Sequence, residues 1–395
     1  MIKFKNSKSY FLHPSIKLSL NGYNTQFNEY FEREFKQLDD IYRSEDNTTT
    51  YELIANNSNC ILPDLHYPIT PLGGGIFLDS QHSIFISLNK NTAFLDESKL
   101  ILCIKGLISS RENNIELFTT DKFLYGNLTS KLRYLSYRLF KLEPSSFDRF
   151  FSEYFISQLI EPLISIILSR AGYTLLHAAS ISKKEKDSAS LIIGPQNIGK
   201  TTLILSVLSN NISTLGDDYV TLDSNGYIRS YPKPFKLESA YLKRSRKRDK
   251  INNISKEVND NGLNKFLLYF NRSAEVKVTY KEANVELIMK PRKLDKIYNM
   301  RRSYKKKEST NIEDSKITSL NLIKALDTQQ MLEFGSNKYF ISRLFLYIKA
   351  SNFIECNQSY PILTNLENVE FFSNHKCIII DPNSKDTINQ IRRDL

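Results

Sequence analysis

Eight consecutive residues carry the clearest chemistry in this chain. Gly194, Pro195, Gln196, Asn197, Ile198, Gly199, Lys200 and Thr201 satisfy the spacing G-x-x-x-x-G-K-[ST], and Thr202 opens an apolar run that ends at Leu208. The spacing suits a phosphate-binding loop. Glycines let successive backbone N–H groups converge on phosphate oxygens, and the N-terminus of the following helix favours an anion. In such a loop Lys200 reaches the β- and γ-phosphates and the Thr201 hydroxyl coordinates a cation. The motif therefore predicts ATP and Mg²⁺ as cofactors, with residues 194–202 as the nucleotide site. The strand-like Ser190-Leu-Ile-Ile193 before it and the helical run after it argue against an incidental glycine turn.

A second feature is Leu215-Gly-Asp-Asp-Tyr-Val220, in which Asp217 falls 17 residues after Lys200. In most P-loop NTPases the corresponding acid ends a hydrophobic strand much further along. Two adjacent carboxylates can divide the labour, one ligating Mg²⁺ while the other accepts a proton from an attacking hydroxyl. Like charges so close also raise one pKa, which suits a base. Asp-Asp is an ordinary turn sequence as well, and only the neighbouring loop gives it chemical meaning. The third candidate, His177, lies in the apolar Tyr173-Thr-Leu-Leu-His-Ala-Ala-Ser-Ile181. A lone His on an apolar strand is more often a hydrogen-bonded core residue than a catalyst, so its position decides little unaided.

Taken together, Leu176-His-Ala-Ala-Ser-Ile181, the glycine loop, Leu215-Gly-Asp-Asp218 and Tyr231-Pro-Lys-Pro-Phe-Lys-Leu237 resemble the catalytic domain of HPr kinase/phosphorylase, and more closely the HPr-kinase-like enzymes found beside peptide-modification systems. The resemblance covers about residues 171–240, with a fainter echo in Leu294-Asp-Lys-Ile-Tyr-Asn-Met-Arg-Arg302. It implies a P-loop kinase domain of the phosphoenolpyruvate-carboxykinase type. By position, His177 would contact the transferred phosphate or the acceptor, Asp217 would be the base, and Asp218 would join Thr201 in holding Mg²⁺; the two aspartate roles could be exchanged. Gly-Lys-Thr201 replaces the Gly-Lys-Ser typical of that family and His177-Ala178 its His-Gly, and no Glu-Ile-Arg-Gly segment is found. These departures leave phosphorolysis, and HPr itself as substrate, open.

The elements that must position these residues divide the chain into three. Residues 1–127 alternate in short apolar runs, such as Gly75-Ile-Phe-Leu78 and Leu100-Ile-Leu-Cys-Ile104, and predict a β-rich N-terminal region. Gly73-Gly74-Gly75 reads as a turn, since no Lys or helical pattern follows directly. Residues 128–172 predict a helical connection packed on the core, with Phe147, Phe151, Phe155, Leu159, Leu163 and Ile166 on one stripe and Pro162 as a kink. Residues 173–395 would form the kinase domain. The expected fold class is thus α+β or α/β, a phosphoenolpyruvate-carboxykinase-like P-loop domain with an additional β-rich N-terminal region.

The chain has 395 residues, a 41% hydrophobic and 25% charged composition and a net charge of +11, which excludes wholesale disorder and a collagen-like repeat. The charge is local. Residues 233–307 hold 22 Lys and Arg against 8 Asp and Glu, a balance of +14. Such a segment steers anions without reading sequence. It favours an acidic protein or peptide acceptor over nucleic acid, and leaves a homo-oligomer open. Four scattered Cys without a Cys-x-x-Cys pair, no apolar leader at the N-terminus and no membrane-length apolar run predict a cytoplasmic protein that takes no membrane partner. The activity expected is an Mg²⁺- and ATP-dependent kinase acting on a hydroxyl, with Ser or Thr of a protein or peptide ahead of a small-molecule hydroxyl. A non-kinase, nucleotide-dependent nucleic-acid-binding switch is the competing class.

Overall fold

The computed structural model describes residues 7–43, 49–57, 62–88, 94–108, 113–120, 152, 155–195, 198–238, 275–281, 283–300, 376–380 and 385–395. Gln196, Asn197, most of the helical connection before residue 155, and the basic runs at 243–248 and 305–307 lie outside them. The described chain is a mixed α/β structure that divides into two compact units, with the division between Ile167 and Leu168.

In the first unit, eight strands form one mixed sheet among the described residues. They are β1 (Ser7–His13), β2 (Ile16–Asn21), β3 (Tyr51–Asn57), β4 (Thr70–Gly73), β5 (Ile76–Leu78), β6 (Ile84–Ser87), β7 (Leu100–Lys105) and β8 (Asn114–Thr119), in the order β1-β2-β3-β8-β7-β6-β5-β4. The β2–β3 and β3–β8 pairs are parallel. A parallel neighbour requires a crossover, and α1 (Thr25–Tyr42) supplies it between β2 and β3. This 18-residue helix stands inside the region expected to be β-rich. Asn24 caps it by accepting from the Phe27 N–H, and Phe27, Phe31, Phe35, Leu38 and Tyr42 are buried at three- to four-residue intervals. Gly73, Gly74 and Gly75 take φ of +87°, +66° and +75° in the tight β4–β5 hairpin, a region that favours glycine. They are a turn, as expected.

The apolar stripe of the connection is core where it is described. Phe155 lies edge-on to Tyr23 and Phe27, and Leu159 and Leu163 are fully buried. A π-helical turn, Ile156–Ile160, runs into α2 (Glu161–Arg170), so the irregularity expected at Pro162 takes the form of a π turn immediately before it.

The second unit is built on β9 (Tyr173–Leu176), β10 (Ala179–Lys183), β11 (Ser188–Ile193), α3 (Lys200–Val207), β12 (Ile212–Gly216), β13 (Tyr219–Asp223), β14 (Tyr227–Tyr231), the ribbon strands β15 (Phe235–Glu238) and β16 (Glu275–Val278), then β17 (Arg292–Met300), β18 (Lys376–Ile380) and α4 (Lys385–Asp394). Its sheet runs β12-β10-β11-β17-β14-β13-β9, with β18 also on β17. The β11–β17 and β17–β18 pairs are parallel. Both faces of β11 are buried: Leu191 and Ile193 belong to one apolar cluster, and Ile192 to another that includes Leu203 and Val207 of α3 and Ile391 of α4. That explains the unbroken run Leu191-Ile-Ile193. The apolar segment 173–181, expected as one strand, is two. β9 pairs with β13 while β10 pairs with β11 and β12, and the break between them falls at His177. Among the described residues no helix is long and apolar enough to cross a membrane.

Candidate functional site

At the end of β11 the backbone of Gly194 is pressed against β17. A Cβ added to Gly194 would lie 3.0 Å from both Met300 Cβ and Met300 O, and 3.2 Å from Ile198 Cγ2. Ile198 is itself buried in the cluster beneath α3. Gly199 caps α3 at φ +108°, ψ 22°, where a side chain would be strained. Lys200, the first residue of α3, is only 7% exposed. Its ammonium donates to the carbonyl oxygens of Gly194 at 2.9 Å and Pro195 at 3.2 Å, so it spans the loop. Thr201 donates its hydroxyl proton to Asp217 Oδ2 at 2.7 Å. Thr202 turns into the helix, where its carbonyl accepts from Ser206 Oγ.

The acid pair sits in the turn between β12 and β13, two strands separated by β10, β11, β17 and β14 in the sheet order. Gly216 makes this return feasible, since a Cβ there would lie 2.4 Å from the Tyr219 carbonyl oxygen. Asp217 is 3% exposed; Oδ2 is taken by Thr201, while Oδ1 is buried with no hydrogen-bond partner among the described residues. Burial pushes its carboxyl up to about 7; the Thr201 hydrogen bond opposes this, and the Asp218 charge adds to it. Asp218 lies between two bases: His177 Nε2 is 3.2 Å from its Oδ1 and Lys236 Nζ donates to its Oδ2 at 3.0 Å. Burial works against the charge on Asp218, but Lys236, His177 and Lys233 outweigh it and hold the carboxyl well below the usual carboxylate range. Adjacent acids with environments that push their pKa values apart are a recurring feature of catalytic pairs.

The structure thus brings together Lys200, Thr201, Asp217, Asp218 and His177. His177 is in the bend after β9 rather than within a strand, its ring 5.4 Å from that of Tyr219 between centroids. Two further residues join the cluster, Lys233 and Lys236, expected only as part of the Tyr231–Leu237 segment of the resemblance and of the basic segment. Lys233 is 4% exposed, with its ammonium 4.9 Å from the Tyr219 ring centroid, and Lys236 reaches Asp218 from β15. Tyr280, 1% exposed, packs against Phe235 with centroids 4.3 Å apart, and its phenol is raised well above its usual range by burial first and the Asp217 charge second.

Gly216→Ala tests the turn. Its Cβ would meet backbone rather than a yielding side chain, so urea unfolding should give a stability loss of about 2 kcal/mol or more. A variant as stable as the parent would show that the β12–β13 return is not this tight.

Among the described residues no three His, Cys, Asp or Glu side chains gather into a metal cluster. What the site offers a hard cation is the Thr201 hydroxyl and Asp217, whose Oδ1 is orphaned. Mg²⁺ commonly takes one or two protein oxygens and completes its shell with phosphate and water, so this donor set fits. Asp218 has both oxygens already engaged by nitrogen.

No protein-family model matches the chain, and no curated protein matches it.

Proposed function

We propose that this protein is an Mg²⁺- and ATP-dependent phosphotransferase, built on a phosphoenolpyruvate-carboxykinase-like domain resembling HPr kinase, that moves the γ-phosphoryl group to a hydroxyl of a protein or peptide. The observation that supports it is the 2.7 Å hydrogen bond from Thr201 to Asp217. It joins the metal-binding position of a phosphate loop to an acid pair on another strand connection, as in-line phosphoryl transfer requires.

In this reading Lys200 neutralises the β- and γ-phosphate oxygens from its place across the loop carbonyls. Mg²⁺, held by Thr201 and Asp217, would supply charge neutralisation along the phosphate chain. Asp218 is then the residue that orients the acceptor hydroxyl and receives its proton as the new O–P bond forms and the bond to the ADP oxygen breaks. This exchanges the roles first expected of the two acids. The loose transition state leaves little demand for a strong base, so a firmly ionised carboxylate suffices for positioning. His177, on Asp218 Oδ1, fixes the carboxylate's orientation. The excess of Lys and Arg in residues 233–307 favours an acidic polypeptide as the acceptor.

Incubation with γ-labelled ATP and a cognate cell extract, separated by size before counting, should place label in a discrete polypeptide. Label confined to the small-molecule fraction would move the acceptor to a metabolite. Absence of any transfer by the wild type would remove the kinase reading.

A further inference from the structure

We infer that Lys236 is a γ-phosphate contact of this site, the ammonium that distinguishes a triphosphate from a diphosphate. The inference rests on the phosphotransferase reading and deepens it.

Three ammonium groups, those of Lys200, Lys233 and Lys236, meet two carboxylates, Asp217 and Asp218, among the described residues. β15, which carries Lys236, packs against α3, the helix that follows the phosphate loop, so its ammonium stands by the place where a phosphate anion would be bound. The three differ in what they can reach. Lys200 is 7% exposed and engages the loop carbonyls, and Lys233 is 4% exposed and lies over the Tyr219 ring. The Lys236 side chain is 42% exposed while its Nζ stays 3.0 Å from Asp218.

The backbone sets Lys236 in this position. β15 and β16 form a two-stranded ribbon apart from the main sheet. Strand alternation buries Phe235 and Leu237, and Phe235 is locked against Tyr280. Lys236, between them, must project from the opposite face, where it meets Asp218. An ammonium on a fixed strand beside the proton-accepting acid is positioned for the terminal phosphoryl group, whereas Lys200 on the loop serves the phosphate chain.

Titration calorimetry with the Mg²⁺ complexes of the β,γ-imido analogue of ATP and of ADP tests this. For Lys236→Met the analogue's affinity should fall about tenfold, as loss of a charge-assisted contact predicts, with ADP affinity changed by less than about twofold. Lys236→Arg should recover most of the difference. A counter-ion role alone would also disfavour the triphosphate, by leaving Asp218 uncompensated, so the same substitution is measured in the Asp218→Asn background. A direct contact keeps the selective loss there; disappearance of that loss overturns the inference, as does equal weakening of both nucleotides. Wild-type protein that binds neither nucleotide overturns the phosphate-loop reading and this inference together, whereas wild-type binding without the selective loss overturns the inference alone.

Discussion

Lys200→Ala is expected to lower the rate of phosphoryl transfer by about a hundred- to a thousandfold, the usual consequence of removing one preorganised charge from a site of this kind. The argument starts from burial. An ammonium at 7% exposure is not held in place by solvent; it is held by the Gly194 and Pro195 carbonyls at 2.9 and 3.2 Å. Those contacts fix its position before any phosphate arrives, so little reorganisation is left for the reaction step. Alanine removes the charge and leaves two loop carbonyls without their donor, at a cost of about 1–3 kcal/mol if they stay dry. The thermal midpoint should therefore fall modestly while transfer is nearly lost. A single-turnover assay with saturating nucleotide separates the two effects, and a variant rate within about threefold of the parent would mean that the loop does not carry the chemistry.

How much of this was legible in the sequence follows from the range of the interactions. The glycine loop is local: eight residues whose spacing encodes their own backbone geometry, flanked by a strand and a helix found where the pattern puts them, β11 and α3. The acid pair was legible as a turn before a strand, because Asp217 and Asp218 do lie between β12 and β13. That the turn would come back to Thr201 was not, since it depends on a sheet order in which four strands separate β12 from β13. The roles of Lys233 and Lys236 were hidden for the same reason. Nothing nearby in sequence marks β15 as the strand that faces Asp218, and a basic segment is more often solvated. In the first unit a helix stands inside the region expected to be β-rich. Helix α1 has five Phe and Tyr among its 18 residues, types that strands also favour, yet the Asn24 cap and the buried Phe27, Phe31 and Phe35 give the 3.6-residue period that the alternating runs around it concealed.

Asp217→Asn should produce a protein that is inactive and, at alkaline pH without metal, more stable than the parent. The sign follows from the acid's environment. Burial lifts its pKa from 3.8 to about 7 in the fold, so between those values the folded protein holds a proton that the unfolded chain has released. Stability then declines as pH rises through that window, and above about 7 the folded state carries the full penalty of a buried charge. Each unit of displacement corresponds to about 1.4 kcal/mol. Asparagine carries no charge and abolishes the slope, though it sets an amide where Oδ1 already has no partner among the described residues, which returns about 1–3 kcal/mol. The net gain expected in EDTA at pH 8 is on the order of 2 kcal/mol, shrinking to nothing or below near pH 4. Saturating Mg²⁺ and ADP should stabilise the parent and much less the variant, because the carboxylate that makes the empty fold weaker is the one we assign to the cation. Transfer should fall about a thousandfold. Thermal melts at pH 5 and pH 8, with and without Mg²⁺ and ADP, read all of this in one series. A variant that melts below the parent at pH 8 in EDTA would deny the buried charge, and one whose nucleotide-induced stabilisation matched the parent's would deny the cation its place beside Thr201.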